Sequence, residues 1–163
     1  MTIGYSHIMV PVDGSKAAEA ALNKGAKIAV SNKAHLDILM VLNTSQYGYY
    51  YGGLVDGDVI NDMVDDTSDY LNELRQEVQK KYPDLNADVH IRFGNPKTVI
   101  SLEFPKDHHT DLIIMGATGM GRIQRVVEGS VTAFVNRNAH CDVIVVRTDE
   151  NNQPLLHGKG KQK

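Results

Sequence analysis

Cysteine is nearly absent. Cys141 stands alone among 163 residues, which excludes an intramolecular disulfide framework and a cysteine-built structural zinc cluster. Positive charge is not in excess either: 17 Lys and Arg against 20 Asp and Glu leave a formal charge of −3. A nucleic-acid binder wants a basic face, and the overall balance gives it no support. No apolar run approaches the roughly 20 residues that span a bilayer. The opening residues, Met1-Thr2-Ile3-Gly4-Tyr5-Ser6, have neither a basic region nor a long apolar core, so no signal peptide and no membrane partner are expected, and cytoplasm is the expected compartment. Two familiar phosphate-binding strings are missing. There is no G-x-x-x-x-G-K-[ST], and Gly116 to Gly121 has the spacing of G-x-G-x-x-G reversed.

What is there is ordinary for a globular chain: 42% hydrophobic and 23% charged residues, enough for one domain with a real core. Five apolar runs read as strands. His7 to Val12, His35 to Leu42 and Cys141 to Val146 are nearly continuous, as in strands covered on both faces. Ala87 to Phe93 alternates, and Leu112 to Met115 is short and fully apolar.

Between them lie helical stripes. Ser15 is placed as N-cap for a helix carrying Ala18, Ala21, Leu22, Gly25, Ile28 and Ala29. A long helix after Asp56 carries Ile60, Met63, Val64, Thr67, Leu71, Leu74 and Val78. Asn95-Pro96 opens a short helix that Pro105 is expected to end or kink. Val131, Phe134 and Val135 mark the last. Residues 43–57 form a loop rich in Tyr and Gly, and residues 148–163 a polar tail expected to be disordered. The domain is therefore placed at residues 1–147.

Strictly alternating strands and helices imply parallel strands joined by right-handed crossovers. The expected fold is a doubly wound, Rossmann-like α/β sheet in the order 3-2-1-4-5. Its first and fourth strands then meet at the topological switch point, where ligands bind beyond the strands' carboxyl ends. Two unusual loops converge there: Pro11-Val12-Asp13, and the glycine-rich stretch from Gly116 to Ser130. The second is strand, glycine loop and helix start, an arrangement that turns backbone N–H groups towards an anion.

The glycines fit G-x2-G-x9-G-[ST] at Gly116, Gly119, Gly129 and Ser130. With Val10-Pro11-Val12-Asp13-Gly14-Ser15 and Gly129-Ser130-Val131-Thr132, the chain resembles the ATP-binding branch of the universal stress protein family from about Tyr5 to Arg147. One departure is Cys141-Asp142-Val143, where many members have Cys-Pro-Val; it does not touch the nucleotide motif. The resemblance implies that Pro11, Val12, Asp13 and Val41 surround the adenine and ribose, with Met115 and Gly116 along the ribose. It implies Gly119, Gly129, Ser130, Val131 and Thr132 around the phosphates. It also implies ATP as ligand, Mg²⁺ held mainly through the phosphates, and a homodimer.

Several residues carry a plainer reading alongside. Asp13 can simply cap its own turn. Arg122 and Arg125 read as a solvated face, the tyrosines near Tyr49 as a surface loop, and Cys141 as a packing residue. The adjacent His108-His109 would point in different directions on any regular element, so no metal-ligand set is expected. The glycine loop holds Glu128 as its one carboxylate and no evident catalytic Lys. That favours an ATP-binding regulatory protein, read by an unidentified protein partner, over a slow ATP hydrolase or nucleotidyl transferase. A phospho-receiver would need more acids than Asp13 after the first strand, and a Lys where Arg147 stands. A flavin carrier would be yellow. The last strand, Val143 to Val146, lies at the sheet edge with no charge in its four central residues, and is the expected dimer contact.

Overall fold

The five apolar runs pair in parallel as a single sheet. β1 (His7–Pro11), β2 (His35–Leu42), β3 (Ala87–Phe93), β4 (Leu112–Gly116) and β5 (Asp142–Val146) stand in the order β3-β2-β1-β4-β5, as expected. The structure is a computed structural model that describes residues 4–43, 57–117 and 128–155. In β1, Ile8, Met9 and Val10 are wholly buried, which is what a central strand covered on both faces requires. Asp111 aligns β1 with β4. Its carboxylate accepts from the N–H of Ser6 at 2.7 Å and of His7 at 3.1 Å. Its own N–H donates to the His7 carbonyl at 2.9 Å.

α1 (Lys16–Asn32) starts as expected, with Ser15 Oγ accepting from the Ala18 N–H at 3.2 Å. Its buried face is almost all small residues, among them Ala18, Ala21, Gly25 and Ala29. Small residues permit a close approach to the sheet. A Cβ on Gly25 would lie 2.7 Å from Val10 Cγ2, and one on Gly116 would lie 2.8 Å from the Ala17 carbonyl carbon. α2 (Gly57–Lys81) covers the same face with Leu71, Leu74 and Val78. Asp56 and the tyrosine-rich loop before it lie outside the described residues.

The opposite face holds a second cluster that includes Met9, Leu39, Phe104, Ile113, Met115 and Val135. It is covered by α3 (Pro96–Thr98), a π-helical turn (Val99–Glu103), α4 (Phe104–His108) and α5 (Ser130–Asn138). Asn95 caps α3 by accepting from the Lys97 N–H at 3.0 Å. Pro105 does not end this helical path, which runs on to His108. The Phe104 N–H reaches back five residues to the Val99 carbonyl. The widened turn interrupts the ordinary ladder just before the residue that has no N–H to give.

Disorder from Thr148 onward does not describe the first half of the tail. Thr148 bridges Pro154, and the Asp149 N–H donates to the Gln153 carbonyl at 2.8 Å. Lys24 Nζ on α1 donates to Thr148 Oγ1 at 2.6 Å and Asn152 Oδ1 at 3.1 Å. Lys81, at the end of α2, pairs with Glu150, and Leu155 packs against the core. Thr148, Asn152 and Glu150 are thus engaged by lysines of the two helices. Residues 156–163 lie outside the described residues.

Candidate nucleotide cleft

β1 hands its chain to α1 on one face of the sheet, and β4 leads on to α5 on the other. The loops that leave these two strands must diverge, and a cleft of about 380 Å³ opens between them. That volume lies within the range of small-molecule sites. Pro11, Val12 and Asp13 form one wall; Met115 and Gly116 the floor; and Gly129, Ser130, Val131 and Thr132 the far side, with Val41 between β1 and β3. The fold thus brings ten of the eleven sequence-assigned residues to one cleft. The eleventh, Gly119, lies outside the described residues, as do Arg122 and Arg125.

The local chemistry differs in detail from the sequence reading. Gly116 is glycine because α1 is there: its Cβ would meet the carbon, oxygen and Cβ of Ala17 at 2.8–2.9 Å. Thr132 is buried, and its hydroxyl donates to the Gly116 carbonyl at 2.8 Å, tying α5 to the end of β4. The Gly129 N–H donates to the Ala117 carbonyl at 2.7 Å. These two residues build the wall with groups that are already engaged. Asp13 accepts from the Ser15 N–H at 3.0 Å, so it does shape its own turn.

What faces the cleft is the first turn of α5. Its N-cap is Gly129, at φ −62° and ψ 157°, which has no side chain to offer. The amides of Ser130, Val131 and Thr132 begin the helix there, and a helix leaves its first N–H groups without intrahelical partners. Among the described residues no side chain caps them. Ser130 is exposed at their head. The sequence reading missed Ser15, Ala18, Pro96 and Ile100, which complete the lining. The Asn95-Pro96 helix start could have pointed to the last two, since it too follows a strand's carboxyl end.

A second polar cluster lies elsewhere on the sheet. Asp37 is 2% exposed in the middle of β2. Its Oδ1 is 2.7 Å from His90 Nε2 on β3 and 3.1 Å from His35 Nε2. Burial pushes the Asp37 carboxyl up, but the His90 hydrogen bond and the nearby His35, His90 and His108 hold it below the usual range. Burial, with His90 and Arg92 close by, holds His108 below its ordinary value against the pull of Asp37 and Asp107. The sequence reading weighed His108 against its neighbour His109. The fold sets it instead against His90, ring centroids 4.8 Å apart.

Comparison with known proteins agrees with this architecture. The universal stress protein family matches over residues 4–147. A Staphylococcus epidermidis chain carrying the universal stress protein name is 34% identical over 155 residues, covering 91% of this chain and 87% of that one. The solved structure of universal stress protein UspA from Lactobacillus plantarum superposes with a TM-score of 0.73 at 31% identity, covering 90% of this chain and all of that one. A universal stress protein from Archaeoglobus fulgidus, solved in complex with dAMP, shares the fold at a TM-score of 0.61 and 20% identity, covering 88% and 98% of the two chains. With the family matched across nearly the whole domain and the cleft formed where its motif residues converge, this chain belongs to the universal stress protein family.

Proposed function

We propose that this chain binds ATP in the cleft between β1 and β4, with Mg²⁺ on the phosphates, and acts as a homodimeric regulatory protein whose nucleotide state a protein partner reads. The observation that carries the reading is the N-terminus of α5, which no side chain among the described residues caps and which opens on the cleft. Backbone amides and the helix dipole are an anion site that needs no basic side chain. No Lys or Arg lines the cleft among the described residues. A triphosphate there would keep most of its charge, so a divalent cation bound to its oxygens suits the site; Mg²⁺ takes few protein ligands in such settings. Val12, Val41, Ile100 and Met115 give the cleft an apolar part suited to a purine ring. The dAMP bound by the Archaeoglobus fulgidus relative is consistent with an adenine nucleotide as the class of ligand.

The dimer reading rests on β5. It is an edge strand, and Ile144 is exposed on it. An apolar, unpaired edge invites pairing with a second copy.

Gly129→Asp tests the nucleotide reading. The new carboxylate would cap Ser130 to Thr132 from within and occupy the place of a phosphate. Wild type is expected to bind ATP in the micromolar range, roughly −8 kcal/mol. The variant should gain a few tenths of a kcal/mol in stability while ATP affinity falls by about 100-fold. Calorimetry showing equal ATP affinity in the two proteins would remove the phosphates from α5.

A further inference from the structure

Asp37 interrupts an otherwise apolar strand. Leu36, Ile38 and Leu39 beside it have no exposed surface, and Asp37 itself has almost none. A carboxylate in such a place costs several kcal/mol unless something compensates it. A lysine or arginine would be the common solution. Here the ion-pair partners of Asp37 among the described residues are two imidazoles, His35 and His90. A third imidazole closes the group. One ligand atom from each of Asp37, His90 and His108 lies within 4.8 Å of the others.

We propose that Asp37, His90 and His108 form a binding site for a divalent transition-metal ion of the zinc class. The donor set is two nitrogens and one oxygen, with no sulfur. Imidazole suits Zn²⁺, Ni²⁺ and Cu²⁺, whereas Mg²⁺ and Ca²⁺ want oxygen cages. Tetrahedral coordination at 2.0–2.2 Å sets donor atoms about 3.3 Å apart. His90 Nε2 and Asp37 Oδ1 stand at 2.7 Å. A modest spreading of this pair admits the ion, and water completes the fourth position.

The ligands are held in advance. Asp37 and His90 project from neighbouring strands whose register sets Leu39 opposite His90. The His108 ring stacks on Phe104 at 4.0 Å between centroids, and His90 meets the same Phe104 edge-on at 5.1 Å. His35 Nε2 hydrogen-bonds Asp37 Oδ1 and lies 3.2 Å from Asp88 Oδ2. It is an outer partner that orients the carboxylate, as hydrogen-bonded neighbours of metal ligands do. The His90 side chain is 25% exposed, which gives the ion a way in.

One group opposes binding. Arg92 Nη2 lies 3.2 Å from His108 Nε2. Arg92 has an alternative partner in Asp107, at 3.2 Å from its Nη1, so it can leave the ring and keep an ion pair. The site lies four residues before Val41 on β2, about 13 Å from the cleft along the strand. It can therefore be measured without nucleotide, and its success or failure is separate from that of the ATP reading.

The test is titration of metal-stripped, nucleotide-free protein with Zn²⁺ by calorimetry and with Co²⁺ by visible absorption. One ion per chain is expected, with Co²⁺ bands of a low-coordinate nitrogen–oxygen site. His90→Gln and His108→Gln, both at half-buried positions and checked for fold by circular dichroism, should each weaken Zn²⁺ binding by about 100-fold and abolish the Co²⁺ bands. Asp37→Asn should do the same if it folds. His140→Gln, at an exposed position away from the cluster, should change nothing. Wild-type affinity retained in His90→Gln, or affinity lost in His140→Gln instead, would overturn the site. So would a wild type that shows no Zn²⁺ binding when titrated to about 100 micromolar.

Discussion

Gly116→Ala separates what the cleft's first glycine does for packing from what it does for a ligand. An added Cβ would lie 2.8 Å from the Ala17 carbonyl carbon and 2.9 Å from its oxygen and its Cβ. Carbon atoms in favourable contact stay about 3.5–4.0 Å apart, so α1 must withdraw from β4 by roughly 1 Å. The obstacle is backbone, which cannot rotate out of the way as a long side chain could. α1 presents wholly buried Ala21, Ala26 and Ala29 to the sheet, and a shift loosens all of them. Overpacking of this kind costs about 1–3 kcal/mol, and a backbone obstacle belongs in the upper half of that range. Removing a glycine from a strand returns roughly 0.5–1 kcal/mol. The net loss is then about 2 kcal/mol.

Urea unfolding of nucleotide-free protein reads this directly. With a slope of about 2 kcal/mol per molar, the midpoint should fall by about 1 M. Gly129→Ala is the control. Its backbone, at φ −62°, suits any residue, so the loss there should stay within about 1 kcal/mol. A Gly116→Ala midpoint within about 0.2 M of wild type would refute the close approach of α1, and would return Gly116 to a purely ligand-facing role.

Two further outcomes follow from other parts of the fold. Ile144→Lys places a charge on the exposed edge of β5, where a single chain tolerates it but a symmetric pair brings two lysines together. Light scattering should show a dimeric wild type and a monomeric, folded variant; a monomeric wild type at tens of micromolar would end the dimer proposal. Tyr70 donates its hydroxyl to Glu19 at 3.1 Å, and burial, then the Glu19 charge, raise its pKa above the ordinary 10.0. A raised pKa means stability that is complete below pH 10 and is lost as pH rises beyond it. The melting temperature should therefore fall less steeply above about pH 10 in Tyr70→Phe than in wild type, and parallel curves would show that Tyr70 ionises freely.

The sheet was legible because its signals are local. Continuous apolar runs, a serine two residues before the first helical alanine and Asn95-Pro96 each act within a few residues. Strict alternation then left little choice of topology. The remainder depended on contacts that sequence separation hides. Lys24 closes the tail turn from 124 residues away, and His90 reaches Asp37 from 53. Pro105 is expected from sequence to end or kink its helix, because proline has no N–H to give. The path instead continues to His108 through a π turn whose Val99, Ile100 and Phe104 pack into the core against the sheet.

The same distinction explains why the cleft residues could be gathered from sequence although their individual roles could not. Topology decides where the cleft lies. α1 buries its stripe with the cluster around Ile8, Val10 and Ile114, whereas α5 sends Val135 into the cluster around Met9, Ile113 and Met115. Chains leaving the adjacent strands β1 and β4 for opposite faces must part, and any doubly wound sheet in this order has a crevice there. The glycine spacing then marks which loops border it. Whether a given glycine faces the ligand or the helix behind it is settled by the distance between α1 and β4, a three-dimensional quantity. Gly116 and Gly129 carry the same letter in one motif. Gly116 is demanded by the packing of α1, whereas Gly129 stands at the N-cap of α5 and has no side chain with which to cap the amides that follow.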